Sequence, residues 1–314
     1  MNDKTTEAEH IRILADLSEI EDIKVLERAQ SLLSDARSIG CIAALEEHNH
    51  NVQYLTDPIR EKYIDFLDLA PSDDVLEIGS SMGQHTRKIA KRCRSVNALE
   101  VVEFQAKFSK LWCSQDGLHN VHVTAGGASG RLPYDDDAFD VVVSNYVLEW
   151  CAGRSQDDPD EFHQAVLKEI RRVLRPGGRL FLSTKNRFAF KYLLGAEDEH
   201  LGIRFGSALP RLIQRRVAAK ADLGHPTGYL HSWRELRKHL RSAGFADLRP
   251  LFAFPDARYP LFMGRPCDFS TSSFFSSKPV KLGRRDRILA KLPDGLRLAL
   301  SNSIIFLAKK EPTL

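Results

Sequence analysis

Short apolar runs, each closed by glycine or charge, recur through the middle of the chain. Val75, Leu76 and Ile78 stop at Gly79, so Asp74 to Ile78 is predicted as a buried parallel strand. Ser95 to Glu100, Val121 to Thr124, Phe139 to Asn145 and Arg179 to Thr184 repeat the pattern, the fourth strand (FDVVVSN) being nearly continuous in apolar residues. Between the strands the period changes to that of a helix. Gln84 to Arg94 is predicted helical, as is Glu103 to Gln115 with Phe104, Phe108 and Leu111 on one face. Asp160 to Arg175 follows with Phe162, Val166, Ile170, Val173 and Leu174, an acid in its first turn, arginines in its last, and Pro176-Gly177-Gly178 beyond. Strand and helix alternate, which predicts an α/β fold around a parallel sheet.

The flanks read differently. From Glu7 to about Glu47, Ile11, Leu14 and Leu17, then Val25, Leu26, Ala29 and Leu32, recur at helical spacing and predict two or three amphipathic helices. Asp57-Pro58 starts another helix, with proline in its first turn. Ser232-Trp233-Arg234-Glu235 is a capping box for a helix that buries Leu236 and Leu240 and stops at Gly244. Phe245 to Phe254 and Ser303 to Ala308 are predicted as a sixth and a seventh strand. The intervening Pro255 to Leu300 is a long insertion rich in Phe, Ser, Pro and basic residues, of the size that serves as a lid or an oligomer contact.

Composition narrows the classes. With 314 residues, 43% hydrophobic and 28% charged, the chain has the make-up of a soluble globular protein. A net charge of +3 gives no reason to expect nucleic acid or a membrane as partner. Five scattered cysteines without a CxxC pair favour reduced thiols and a cytoplasmic location. No apolar stretch approaches a transmembrane span. His48-Asn49-His50 has no acid or cysteine at ligand spacing, and no metal is expected.

The candidate chemistry lies in the first turn, Glu77-Ile78-Gly79-Ser80-Ser81-Met82-Gly83, and in Glu100, twenty-one residues after Gly79. An acid at that distance is placed to accept hydrogen bonds from both hydroxyls of a ribose. The loop is not the GxGxxG that cradles a diphosphate, and Glu77 would repel one while favouring a cationic ligand. Ser144, Asn145 and Tyr146 stand at the carboxyl end of the fourth strand, the side where open α/β sheets bind ligands.

The turn resembles motif I of the class I S-adenosylmethionine-dependent methyltransferases, E/D-x-G-x-G-x-G, with Ser81 in place of the middle glycine. The stretch from Phe139 through VLEW to RRVLRPGGRLFL resembles the second half of the same family, and the likeness covers roughly residues 54 to 184. It implies a Rossmann-like, doubly wound seven-stranded sheet of order 3-2-1-4-5-7-6 with an antiparallel seventh strand. It also implies S-adenosylmethionine as cofactor, held by Glu77, Gly79, Ser80, Ser81, Gly83, Glu100, Val101, Ala128, Ser129 and Asn145. The family's adenine-binding aspartate falls here on Gly127 or Ala128, which leaves adenine to backbone groups and Ser129.

Residues 185 to 202 resemble a segment of bacterial methyltransferases associated with glycosyltransferases of surface-polysaccharide assembly, through Asn186, Arg187, Lys191, Tyr192, Gly195 and His200. The expected organisation is an N-terminal helical extension over 1–56, a cofactor-binding core over 57–185, a cap over 186–230, core again over 231–254, an insertion over 255–301 and a last strand and tail over 302–314. Arg211, Arg215, Arg216 and Lys220 give the cap a basic amphipathic helix suited to an anionic substrate or a membrane surface.

Methyl transfer is an in-line displacement governed by alignment. Tyr146 and Asn145 are expected near the methyl group, and His200, ahead of His225 and His231, is the expected proton acceptor. The acceptor is expected to be a small molecule or glycan methylated on oxygen, because the Pro-Pro-aromatic and Pro-Cys elements of nucleic-acid methyltransferases are missing after the fourth strand. A non-catalytic S-adenosylmethionine-binding subunit and an NAD-dependent enzyme on the same sheet are the alternatives. A homodimer through the N-terminal helices or the late insertion is a further expectation.

Overall fold

Arg12–Ile13 (β1) is the first regular element of the computed structural model, which describes residues 9–16, 23–152, 158–198, 202–220, 228–275 and 281–311. The chain divides into two compact units, residues 1–143 with 173–175, and residues 144–172 with 176–314.

In the first unit, Asp74–Ile78 (β2), Ser95–Glu100 (β3), Val121–Ala125 (β4) and Phe139–Asn145 (β5) form as their apolar runs predict, β5 passing into the second unit at Ser144. Their order is β1-β4-β3-β2-β5, with β1 parallel to β4, β4 to β3 and β3 to β2. β1 corrects the helical reading of Ile11 and Leu14. Ile13 pairs with Ala125 and Leu14 N–H donates to Ala125 O at 2.9 Å, so these residues cover the edge of β4. Leu17 lies outside the described residues.

Ile23–Ile39 and Cys41–Glu47 are helices, and they pack on helix Glu103–Gln115 through Leu32, Ala36, Leu45, Phe108 and Trp112. Gln115 joins the three: its Oε1 accepts from Cys41 N–H at 2.9 Å and its Nε2 donates to Ala36 O at 2.7 Å. Val25 and Leu26, expected on the buried face, are exposed, and Leu33 and Ala36 take that role. The helix after the first turn spans only Thr86–Ile89 rather than Gln84 to Arg94. Asn120 Nδ2 donates to the carbonyls of Ala90 and Cys93 at 2.8 and 3.2 Å, ending the helix by satisfying carbonyls that a further turn would have used. Pro58–Phe66 is a 3-10 helix, its first turn capped by the Asp57 side chain.

The second unit contains helix Pro159–Val173 up to Arg172 and strands Leu174–Lys185 (β6), Phe245–Phe254 (β7), Phe262–Gly264 (β8) and Ser303–Lys310 (β9), the helix ending with one residue and β6 starting with two residues of the first unit. The helix stops at Val173, three residues before Pro176, which disfavours helical backbone at Arg175. β9 lies between β6 and β7, antiparallel to both, and β8 is antiparallel to β7. The fold is therefore the Rossmann-like α/β class. The first unit carries the 3-2-1-4 part of the anticipated order and the second the 5-7-6 part, with β1 and β8 added. Insertion residues share a core with β7: Phe262, Leu289 and Leu298 are buried against Phe252 and Phe254, with Phe269 and Phe274 packed on them. The capping box at Ser232 and Glu235 forms as predicted. Among the described residues no helix is long and apolar enough to cross a membrane.

Gly83, at φ 85°, lets the first turn approach helix Glu103–Gln115 so closely that a methyl group there would lie 2.5 Å from Ser109 Oγ and 3.0 Å from Ser109 Cα. Gly83→Ala is expected to destabilise the protein by about 2–4 kcal/mol, from overpacking and left-handed backbone strain. A urea-unfolding midpoint unchanged from the parent would contradict this contact.

Candidate functional site

The turn after β2 is built on backbone donors. Gly79 (φ 72°) and Ser80 both direct N–H to Leu99 O, at 2.7 and 3.2 Å, which docks the turn on the end of β3. Ser81 follows with φ 50°, a left-handed conformation that accounts for glycine in the motif it resembles. Its N–H donates to Glu100 Oε2 at 2.7 Å, and Val102 N–H donates to Glu100 Oε1 at 3.1 Å. Glu100 is 6% exposed. Burial pushes its carboxyl above the usual range, while the amides of Val102, Ser81 and Val101 act the other way. Each oxygen accepts one of the two hydrogen bonds and has a second lone pair for a further donor.

Glu77 is buried behind the turn and accepts from Thr86 Oγ1 at 2.5 Å. Burial, with a smaller contribution from the Glu100 charge, raises its pKa to about 7 against the opposing Thr86 hydrogen bond. Ser80 Oγ is buried with no hydrogen-bond partner among the described residues. Five residues on, His85 is also buried; its Nδ1 meets Tyr63 OH at 3.1 Å, and desolvation lowers its pKa to about 3.

Gly126 N–H donates to Glu100 O at 2.9 Å, which brings the loop after β4 to the same strand end. In that loop Ala128 N–H donates to Asp16 O at 3.0 Å and Ser129 Oγ donates to Asp16 Oδ2 at 2.8 Å. Asp16 went unread in the sequence. Its carboxylate stands beside the loop position that lacks an acid, and its pKa is lowered by hydrogen bonds from Ser129 and Gly127 against a burial effect that raises it. The first unit thus gathers Glu77, Gly79, Ser80, Ser81, Gly83, Glu100 and Val101 at one turn, with Ala128 and Ser129 in the adjoining loop.

The remaining expected residues belong to the second unit. Asn145 Oδ1 accepts from Ser183 Oγ at 2.5 Å. Tyr146 is at φ 60° and half-buried, with its hydroxyl bonded to Ser303 Oγ and accepting from Ala257 N–H at 3.2 Å. Burial raises the phenol pKa well above its ordinary value. Glu149, also unread, is fully buried; Oε2 accepts from Thr184 Oγ1 at 2.7 Å, Oε1 has no hydrogen-bond partner among the described residues, and burial raises its pKa.

Asn186 is buried with Nδ2 donating to Ala299 O and Ser301 O, both at 2.9 Å. Arg187 donates to Ser207 O at 2.9 Å, Leu209 O at 2.6 Å and Glu235 at 3.3 Å. Lys191 lies over the Tyr192 ring at 4.8 Å, and Gly195 takes φ 85° beside Phe205. His200 and His225 lie outside the described residues, and His231 is 1% exposed.

The donor set at the turn fits S-adenosylmethionine. Glu100 has lone pairs for two hydroxyls, Ser80 Oγ lacks a partner, and Glu77 sits at a pKa where a neighbouring cation converts it to carboxylate. Comparison with known proteins agrees. Residues 76–182 match the family described as Methyltransferase domain. The chain is 28% identical to the malonyl-[acyl-carrier protein] O-methyltransferase of Serratia marcescens over 58% of this chain and 61% of that protein. It is 27% identical to the demethylmenaquinone methyltransferase of Mycolicibacterium vanbaalenii over 66% and 91% respectively. The chain spans less than two thirds of the length of the first curated relatives it matches. A structure of phosphoethanolamine N-methyltransferase 1 from Haemonchus contortus aligns with a TM-score of 0.52 at 15% identity, covering 91% of this chain and 50% of that one, which shows the fold. Residues 76–182 are thus a methyltransferase domain with S-adenosylmethionine as its cofactor.

Glu77 carries a pH signature. Its folded pKa, about 7, lies above the unfolded value of 4.5, so its contribution to stability is full below pH 4.5 and is lost as pH rises through 7. Glu77→Gln has no such loss and is expected to gain on the order of 3 kcal/mol relative to the parent between pH 4.5 and 8. Urea unfolding at both pH values measures it; an equal difference at both would contradict the assignment.

Proposed function

We propose that the chain is an S-adenosylmethionine-dependent methyltransferase whose acceptor is a small molecule or glycan and whose methylated atom is oxygen. The observation that carries the reading is Glu100, a buried carboxylate clasped by the Ser81 and Val102 amides at the end of β3. Bound cofactor supplies an electrophilic methyl group on a sulfonium. In this reading Glu100 takes the two ribose hydroxyls. Gly79, Ser80, Ser81, Gly83 and Val101 form the wall along the nucleoside and methionine parts, with the Glu77 charge favouring the cation. Ala128, Ser129 and the Asp16 carboxylate serve the adenine end, Asp16 standing in for the missing acid of the loop.

Asn145 and Tyr146 are proposed to line the acceptor side. The Tyr146 hydroxyl is already engaged by Ser303 and Ala257, which suits a wall that fixes orientation better than a group that exchanges protons. His200 is the proposed acceptor of the hydroxyl proton. The S. marcescens relative, named as an O-methyltransferase, supports oxygen, and the Asn186 to His200 segment supports a surface-polysaccharide setting. The five free cysteines support a cytoplasmic location, and a homodimer remains part of the proposal.

Replacing Glu100 by alanine is expected to weaken binding of S-adenosylhomocysteine by about 10- to 100-fold, the worth of hydrogen bonds to a charged group. Calorimetry on a variant that still melts cooperatively measures this, and unchanged affinity would remove the ribose assignment. Turnover to S-adenosylhomocysteine with sugar nucleotides and phenols tests the acceptor class. Cofactor binding without turnover on any member would favour a regulatory subunit.

A further inference from the structure

The second unit contains a side-chain cluster that methyl transfer does not use. Asp160 comes from the first turn of helix Pro159–Val173 and His239 from helix Trp233–Ser242. His231 comes from the extended residues before that helix, where its carbonyl accepts from Arg187 N–H at 2.9 Å. Their donor atoms all lie within 4.8 Å of one another.

His231 is 1% exposed, and its Nδ1 has no hydrogen-bond partner among the described residues. That nitrogen faces Asp160 Oδ1 at 3.6 Å, beyond hydrogen-bond reach, and His239 Nε2 faces the same oxygen at 3.3 Å. A buried nitrogen left without a donor or acceptor is costly, and here it points at a carboxylate and a second imidazole. Two imidazoles and one carboxylate are a donor set that zinc-like cations take at about 2.0–2.2 Å. Drawing the three atoms onto one ion requires movements of roughly an ångström, within the reach of side-chain rotation.

The surrounding groups are arranged to orient such ligands. His231 Nε2 lies 2.8 Å from His163 Nδ1, so a proton on Nε2 donated to His163 leaves the lone pair on Nδ1. His239 Nδ1 lies 2.9 Å from Gln164 Oε1, and a proton donated there leaves Nε2 free. The hydrogen bonds around Gln164 favour the opposite orientation, in which its NH2 donates to His239 Nδ1, its oxygen accepts from Ala243 N–H at 3.0 Å and Nε2 holds the proton toward Asp160; taking up an ion requires the amide to turn so that Nδ1 donates and Nε2 is free. Tyr229 OH donates to Asp160 Oδ2 at 2.7 Å and fixes the carboxylate. The side chains of Asp160 and His239 are 44% and 19% exposed, which leaves a route for an ion and room for water as further ligands.

We propose that Asp160, His231 and His239 bind one divalent cation of the zinc class, which ties the start of helix Pro159–Val173 to helix Trp233–Ser242. The test uses the full chain, freed of metal by a chelator and titrated with Co2+. One equivalent should bind with a visible ligand-field absorption that Zn2+ abolishes, and Zn2+ should raise the melting temperature. His239→Ala and Asp160→Asn, both at partly exposed positions, are expected to weaken Co2+ affinity at least tenfold while leaving S-adenosylhomocysteine affinity unchanged. His239→Gln is the second variant should alanine impair folding. Absence of saturable binding at one equivalent, or binding that these variants leave unaltered, overturns the proposal, and neither result bears on the cofactor site.

Discussion

Much of the first unit's organisation follows from one carboxylate. Glu100 ends β3 inside the protein, where an ionised group loses the solvation of water, and the Ser81 and Val102 amides replace part of it. Hydrogen bonds to a charged group contribute about 1.5–3 kcal/mol each, enough to hold a loop in a conformation it would not take alone. Ser81 lies at φ 50° as its N–H reaches the acid, and Gly83 then brings the chain against Ser109. The shape of the turn is thus set by the strand beside it as well as by its own residues. A carboxylate fixed in this way needs little rearrangement to receive hydroxyl groups.

The elements that were legible in the sequence are those whose stability is local or symmetric about the sheet. β2, β3 and β5 run between the residues read from their apolar blocks, because strands buried on both faces show in composition alone. Helix Glu103–Gln115 matches its 3.6-residue pattern. Failures occurred where a distant partner decides. Arg12–Ile13 is a strand because β4 has an edge to cover, and no window around Ile11 encodes that partner. The helix after Gly83 is short because Asn120, thirty residues past Ala90, caps it. Asp16 reaches Ser129 across 113 residues, so the acid missing from one loop could not be sought in another stretch by spacing.

In the second unit, Asn186 and Arg187 have a structural role. Asn186 and Arg187 bind backbone carbonyls of residues 207, 209, 299 and 301, and so fasten the end of β6 to the loops that follow it and to the helix Asp294–Leu300 before β9. Their residue types follow from buried acceptors that need donors with several N–H groups. The phenylalanines of the insertion likewise complete a core with β7, which the local composition could not distinguish from a mobile flap. The sequence around His231 suggests only a candidate base, whereas its burial between His163 and Asp160 emerges from three segments far apart in sequence.

The β1 segment has a practical corollary for anyone cutting this protein down. Conserving only the α/β portion from residue 57 onward would discard β1, expose the rim of β4 to pairing with other chains, and strip Ser129 of its carboxylate partner. A shortened version would therefore be prone to self-association and would present an altered loop after β4, although every motif recognisable by eye would still be in it.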